Sequence, residues 1–114
     1  MDALEMTLLF DYYGDLLTER QKCCLDMRYN QDMSLGEIAQ ELGVSRQGVH
    51  DNLSRAEALL RSMEETTGCV QRAQTTRSVL TRVQQALGPL LDYPDEQVKV
   101  LANQIRSAMQ ELEE

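Results

Sequence analysis

Arg46, Gln47, His50, Asp51, Ser54 and Arg55 stand at spacings that put them on the outer side of one helix, directly after Ser45. Their side chains are of the kinds that bind nucleic acid. Arg46 and Gln47 fit guanine and adenine edges respectively, and Ser45 and Arg55 suit phosphates. Within Ser45–Arg61, Arg46, Arg55 and Arg61 face only Asp51 and Glu57. Asp51 either accepts from a cytosine amino group or hydrogen-bonds a neighbouring side chain to orient it. The second is favoured, because an unpaired carboxylate near phosphates is unfavourable. Arg72, Arg77 and Arg82 form a second possible anion- or partner-binding set, in a stretch from Thr66 to Leu91 that holds no acid. Spaced by five, they spread around a helix rather than forming one tight patch. Pairing with acids such as Glu64 or Glu65 is the competing reading for them.

The first set is positioned by a helix-turn-helix over Ser34–Ser54, SLGEIAQELGVSRQGVHDNLS. Ile38, Ala39 and Leu42 make the inner face of its first helix, and Ala39 is small where the second helix crosses. Gly43 falls where a left-handed backbone is cheap only for glycine. Val44 plugs the turn, and Val49 and Leu53 face inward. Ser34 and Glu37 form a capping box, and Ser45 is the N-cap of the second helix. The inward series continues through Ala56, Leu60 and Met63, so this helix is predicted to run to Thr66 or Thr67 and stop at Gly68. That is about 33 Å at ~1.5 Å per residue.

Before the motif, Leu4, Leu8, Tyr12, Leu16 and Leu17 predict a first helix that ends near Gly14. Thr18 and Gln21 form a second capping box, opening a helix to about Asn30. After Gly68, a helix over about Cys69–Leu87 is expected to break at Gly88-Pro89. Pro94 fits the first turn of a last helix. There Val98, Leu101, Ile105, Ala108 and Leu112 form a seam that serves equally as an internal core face or as a dimer contact. The expectation is an all-α protein of six helices. Residues 1–67 form a helix-turn-helix domain without a wing, and residues 68–114 form a helical pair able to dimerise.

Composition narrows the function. The net charge is −8, with 6 basic and 13 acidic residues over 1–68 and 5 and 6 over 69–114. Such a surface repels phosphates, so DNA binding must come from the local recognition helix and from symmetry. Cys23, Cys24 and Cys69 lack C-x-x-C spacing and suggest neither a disulfide framework nor a zinc site. His50 is the single histidine. With no phosphate-cradling glycine loop and no nucleophile–base–acid set, neither an enzyme nor a cofactor is expected. No apolar run is long enough to span a bilayer and no signal peptide is recognisable, which points to the cytoplasm without membrane insertion.

Leu17-Thr18-Glu19-Arg20-Gln21 followed by SLGEIAQELGVSRQGV resembles region 4 of bacterial sigma factors. The chain resembles the YlxM-like family more closely. These are small bacterial helix-turn-helix proteins usually encoded beside the signal recognition particle GTPase. The match rests on Phe10–Gln21, Tyr29, Asp32-Met33-Ser34-Leu35, Gly43–Gln47, Val49 and Asp51-Asn52, and covers about residues 5–65. Gly48 and His50 stand where the family often has alanine and tyrosine; Gly48 costs up to ~1 kcal/mol of helix propensity. The resemblance implies an all-helical homodimer with a regulatory role in the signal recognition particle pathway. Two functions follow. One is a DNA-binding regulator acting through Arg46 and Gln47. The other is an adaptor that binds the particle, through its RNA or its GTPase, with Arg72, Arg77 and Arg82 or the long helix as contacts.

Overall fold

The structure is a computed structural model that describes residues 3–113. It contains six α-helices, and no strand among the described residues. They are α1 (Ala3–Tyr13), α2 (Glu19–Leu25), α3 (Leu35–Leu42), α4 (Arg46–Thr67), α5 (Cys69–Leu91) and α6 (Glu96–Gln110). The chain divides into two compact units, one up to Val70 and one from Gln71 onward.

In the first unit α4 is the spine, packed by α1, α2 and α3. Val49, Leu53, Ala56 and Leu60 are buried along it at helical spacing, and they meet Cys24, Leu25, Ile38 and Ala39. Burying such side chains contributes about 1.5–3 kcal/mol for each large one, enough to fix the helix against its neighbours. Gly68 ends α4 in the left-handed region at φ 63°.

The first helix ends at Tyr13, beside the predicted stop at Gly14, and the face it buries is not the series Leu4, Leu8 and Tyr12. Met6, Leu9 and Tyr13 are buried, while Leu4, Tyr12 and Leu16 are exposed. α1 is apolar on two opposite sides, and periodicity alone could not say which side packs. Tyr13 decides it: its hydroxyl donates to Glu64 Oε1 at 2.6 Å and lies 2.5 Å from Thr67 Oγ1 at the far end of α4. Glu64 Oε1 also accepts from the backbone N–H of Val70 at 3.0 Å. One carboxylate thus ties α1, α4 and the start of α5 together.

The second capping box is present, with Gln21 N–H donating to Thr18 Oγ1 and Thr18 N–H to Gln21 Oε1. Beyond α2 the helix widens into a π-turn over Asp26–Asn30. Asp26 accepts there from Asn30 Nδ2 at 2.8 Å and Gln31 Nε2 at 2.7 Å. These bonds hold its carboxyl below the usual range. Asp32 turns the chain at φ 54° and delivers Ser34 to the head of α3.

In the second unit α5 runs on to Leu91 instead of breaking at Gly88-Pro89. Two physical reasons apply. Part of the clash that disfavours helix before proline involves the preceding Cβ, which Gly88 lacks, and the N–H that Pro89 removes lies within three residues of the helix end. Pro94 lies before α6 rather than in its first turn. Asp95 is the N-cap, its carboxylate accepting from the backbone of Gln97 and Val98. The expected seam of α6 is not the face that packs on α5. Ala102 and Met109 make that contact, with Leu80, Leu87 and Leu91, leaving Leu101, Ile105 and Leu112 exposed.

Candidate nucleic-acid interface

The helix-turn-helix is assembled as its sequence dictates. Glu37 N–H donates to Ser34 Oγ and Ser34 N–H to Glu37 Oε1, both at 3.1 Å. These bonds hold the Glu37 carboxyl below its ordinary value. Gly43 is left-handed at φ 69°, and Val44 N–H reaches back to Ala39 C=O at 3.0 Å, closing the end of α3. Ser45 Oγ then accepts from Gly48 N–H at 2.9 Å and starts α4. Two capped helices joined by so few residues leave the N-terminal turn of α4 little freedom.

Ser45, Arg46, Gln47, His50, Ser54 and Arg55 are all exposed. Gln47, His50, Asp51 and Ser54 follow one another at steps of three, one and three, and so share a face opposite Val49 and Leu53. Arg46 leans another way. A Cβ built on Gly36 would stand 3.8 Å from Arg46 Nε, so this arginine lies along the bare backbone of the first turn of α3. Sequence reasoning did not single out Gly36. A glycine inside a helix costs about 1 kcal/mol against alanine, and at these distances an alanine Cβ would make only ordinary contact with Arg46. Arg55 lies about 14 Å along α4 from Arg46 at ~1.5 Å per residue.

Asp51 is not aimed outward alone. Its Oδ1 accepts from Gln47 Nε2 at 3.0 Å and lies 3.6 Å from His50 Nδ1. Asn52 Nδ2 donates to the carbonyl of Gly48 at 3.0 Å and braces the same turn. A Cβ on Gly48 would come within 3.2 Å of Ser45 Oγ, crowding the cap. Further along, the hydroxyl of Tyr29 donates to Glu57 Oε1. Burial and that carboxylate push the phenol up to about 12.

On α5, Arg77 and Arg82 line one shallow concavity with Gln74, Ser78 and Thr81. Arg72, also exposed, does not line it. The structure therefore brings together two of the three arginines, neither forming an ion pair among the described residues.

A family model described as "Putative helix-turn-helix protein, YlxM / p13 like", UPF0122, matches residues 1–102. The chain belongs to UPF0122. A UPF0122 protein of Thermoanaerobacter sp. (strain X514) is 46% identical over 86 residues, covering 75% of this chain and 74% of that protein. One from Listeria monocytogenes serovar 1/2a is 40% identical over 102 residues, covering 90% and 92%. Another, from Acetivibrio thermocellus, reaches 54% over 68 residues, covering 60% and 58%. Membership in UPF0122 agrees with the motif built from Ser34 to Ser54. No described helix is long and apolar enough to cross a membrane.

Proposed function

We propose that this UPF0122 protein is a DNA-reading regulator whose recognition helix is the N-terminal part of α4. The observation that carries the reading is the Gln47–Asp51 bond, which holds an exposed glutamine amide on the outward ridge of a capped helix. A side chain so fixed has less rotamer entropy to lose on meeting a base edge. Ser45 and Arg55 are then the phosphate contacts, and Ser54 and His50 lie beside the read bases. Two copies are needed, since one short helix reads too few bases. The exposed Leu101, Ile105 and Leu112 of α6 are the proposed contact between copies. A homodimer sets half-sites about 34 Å apart.

The second reading is an adaptor that contacts the signal recognition particle. It is favoured by the concavity holding Arg77 and Arg82 and by a net charge of −8, which suits a basic protein partner. The resemblance to proteins encoded beside the particle's GTPase gives this reading its partner. A selection from a pool of randomised duplexes separates the two. Enrichment of a two-fold symmetric sequence supports DNA reading. A pool that stays random, with retention of the particle lost on Arg77→Ala and Arg82→Ala, establishes the adaptor.

A further inference from the structure

α1 carries an outer stripe of Leu4, Leu8 and Tyr12, one every four residues, continued by Leu16 in the turn that follows. Leu4 is 71% exposed, Tyr12 56% and Leu16 70%. Leu8 is half-buried against the core. The opposite side, Met6, Leu9 and Tyr13, is already buried. The core therefore takes only Leu8 from the outer stripe and leaves Leu4, Tyr12 and Leu16 exposed. A contiguous apolar strip with this much exposure marks an interaction surface. From Ala3 to Leu16 the chain holds Glu5, Asp11 and Asp15 and no lysine or arginine. Lys22 reaches Asp15 at 3.4 Å and Glu19 at 3.7 Å, so its one ammonium is shared between two carboxylates.

We infer that the outer face of α1 is a docking site for a basic amphipathic helix of a partner protein. The anchors repeat every fourth residue over three turns, which is the register by which one helix lies along another. The carboxylates choose the partner's sign. Phosphates of a nucleic acid would be repelled from them, and a second copy packed on the same face would oppose like charges, which disfavours both. A partner helix with leucines on one side and lysine or arginine at its margins covers the stripe and meets the acids. This face belongs to α1 and not to the N-terminal turn of α4, so the inference stands apart from DNA reading.

The test uses the full chain and a fluorescein-labelled leucine–lysine amphipathic peptide of about 18 residues, roughly five helical turns. A peptide of the same composition, scrambled to remove its apolar face, is the control. Saturable binding is expected for the first peptide only. The variant carrying Leu4→Gln, Tyr12→Gln and Leu16→Gln should weaken it more than about tenfold. Asp11→Lys should weaken it less, and added salt should do the same. The Tyr12 ring meets Tyr13 edge-on at 5.0 Å, so the triple variant should melt slightly below the parent, and Leu4→Gln with Leu16→Gln alone, both exposed, should match the parent's melt and still weaken binding. Equal binding of the triple variant, or of the scrambled peptide, would overturn the inference. So would sedimentation showing self-association of the parent that the triple variant abolishes, because the face would then belong to a second copy. Duplex binding retained by the triple variant keeps this result separate from that of α4.

Discussion

Asp51 Oδ1 accepts a hydrogen bond from Gln47 Nε2 at 3.0 Å, one helical turn earlier on the exposed side of α4. A carboxylate only accepts, so the bond fixes which way the amide faces. The NH2 group turns toward Asp51 and Oε1 turns away. The second Nε2 hydrogen stays available to N7 of adenine, and Oε1 to its N6 amino group. Under the proposed DNA reading this gives the acid a role: it holds the Gln47 amide in one orientation, and the same oxygen lies 3.6 Å from His50 Nδ1.

Replacing Asp51 by alanine should therefore blur reading while easing approach. Discrimination at the base read by Gln47 should fall by ~1 kcal/mol, about fivefold. Affinity for mismatched duplex should rise, because a negative charge leaves the surface. Competition anisotropy against single-base variants of a bound duplex measures both. Unchanged discrimination would mean that Gln47 does not read a base.

The two serine caps differ in what they support. Ser34→Ala and Ser45→Ala should each lower stability by ~1 kcal/mol in urea unfolding, the usual cost of removing an N-cap. Only Ser45→Ala should also reduce duplex affinity strongly, because Ser45 Oγ holds Gly48 N–H and with it the turn bearing Arg46 and Gln47. Equal loss of affinity in both variants would show that the effect is global unfolding.

Two glycines should answer alanine differently. A Cβ on Gly14 would lie 2.9 Å from Phe10 Cε1 and 3.0 Å from Cδ1. Gly14→Ala should therefore destabilise by about 1–3 kcal/mol as the half-buried ring is displaced. At Gly48 the neighbour is the Ser45 hydroxyl at 3.2 Å, which needs to yield only slightly. Helix propensity favours alanine there by up to ~1 kcal/mol. Gly48→Ala should be near neutral or stabilising in thermal unfolding.

Tyr29 gives the protein an alkaline signature. Its phenol is raised from 10.0 to about 12 by burial and by the Glu57 carboxylate. Between those values the unfolded chain has lost the proton and the folded chain keeps it. Stability from this group is therefore complete below pH 10 and lost as pH rises toward 12. In a near-ultraviolet titration the last of the four tyrosines to ionise should be Tyr29, and Tyr29→Phe should remove that step. Glu37 acts in the opposite direction. Its carboxyl is held below 4.5 by the capping box, so its contribution is present above that pH and fades as pH falls through the folded value.

Much of the fold could be read from residues alone where two signals agreed. Ser34 with Glu37, Gly43, Ser45 and Gly68 mark their helix ends by cap chemistry, and the Val49–Leu60 series marks the buried side of α4 by period. α1 ends where predicted, beside Gly14, but which of its apolar sides is buried was not legible, because that choice involves Tyr13 reaching Glu64, fifty-one residues away. The break expected at Gly88-Pro89 gave proline its general weight, whereas Gly88 has no Cβ to clash with its ring and only two helical residues follow it. In the candidate site, the exposure of Arg46, Gln47 and His50 follows from spacing. The bond that fixes Gln47 was legible as a choice between two roles for Asp51. The lean of Arg46 over Gly36 depends on how α3 and α4 cross, which periodicity does not encode.

The most direct measurement is fluorescence anisotropy at ~100 mM salt against duplexes tiling the region upstream of the protein's own gene, and against the assembled signal recognition particle. DNA reading predicts saturable binding to one duplex, lost in the Arg46→Ala, Gln47→Ala double variant. If each subunit of a dimer neutralises ~3 phosphates, affinity should fall by about three decades from 50 to 200 mM salt, a slope near −5. Binding to the particle alone, indifferent to that double variant, would contradict the account and leave the helix-turn-helix as a scaffold.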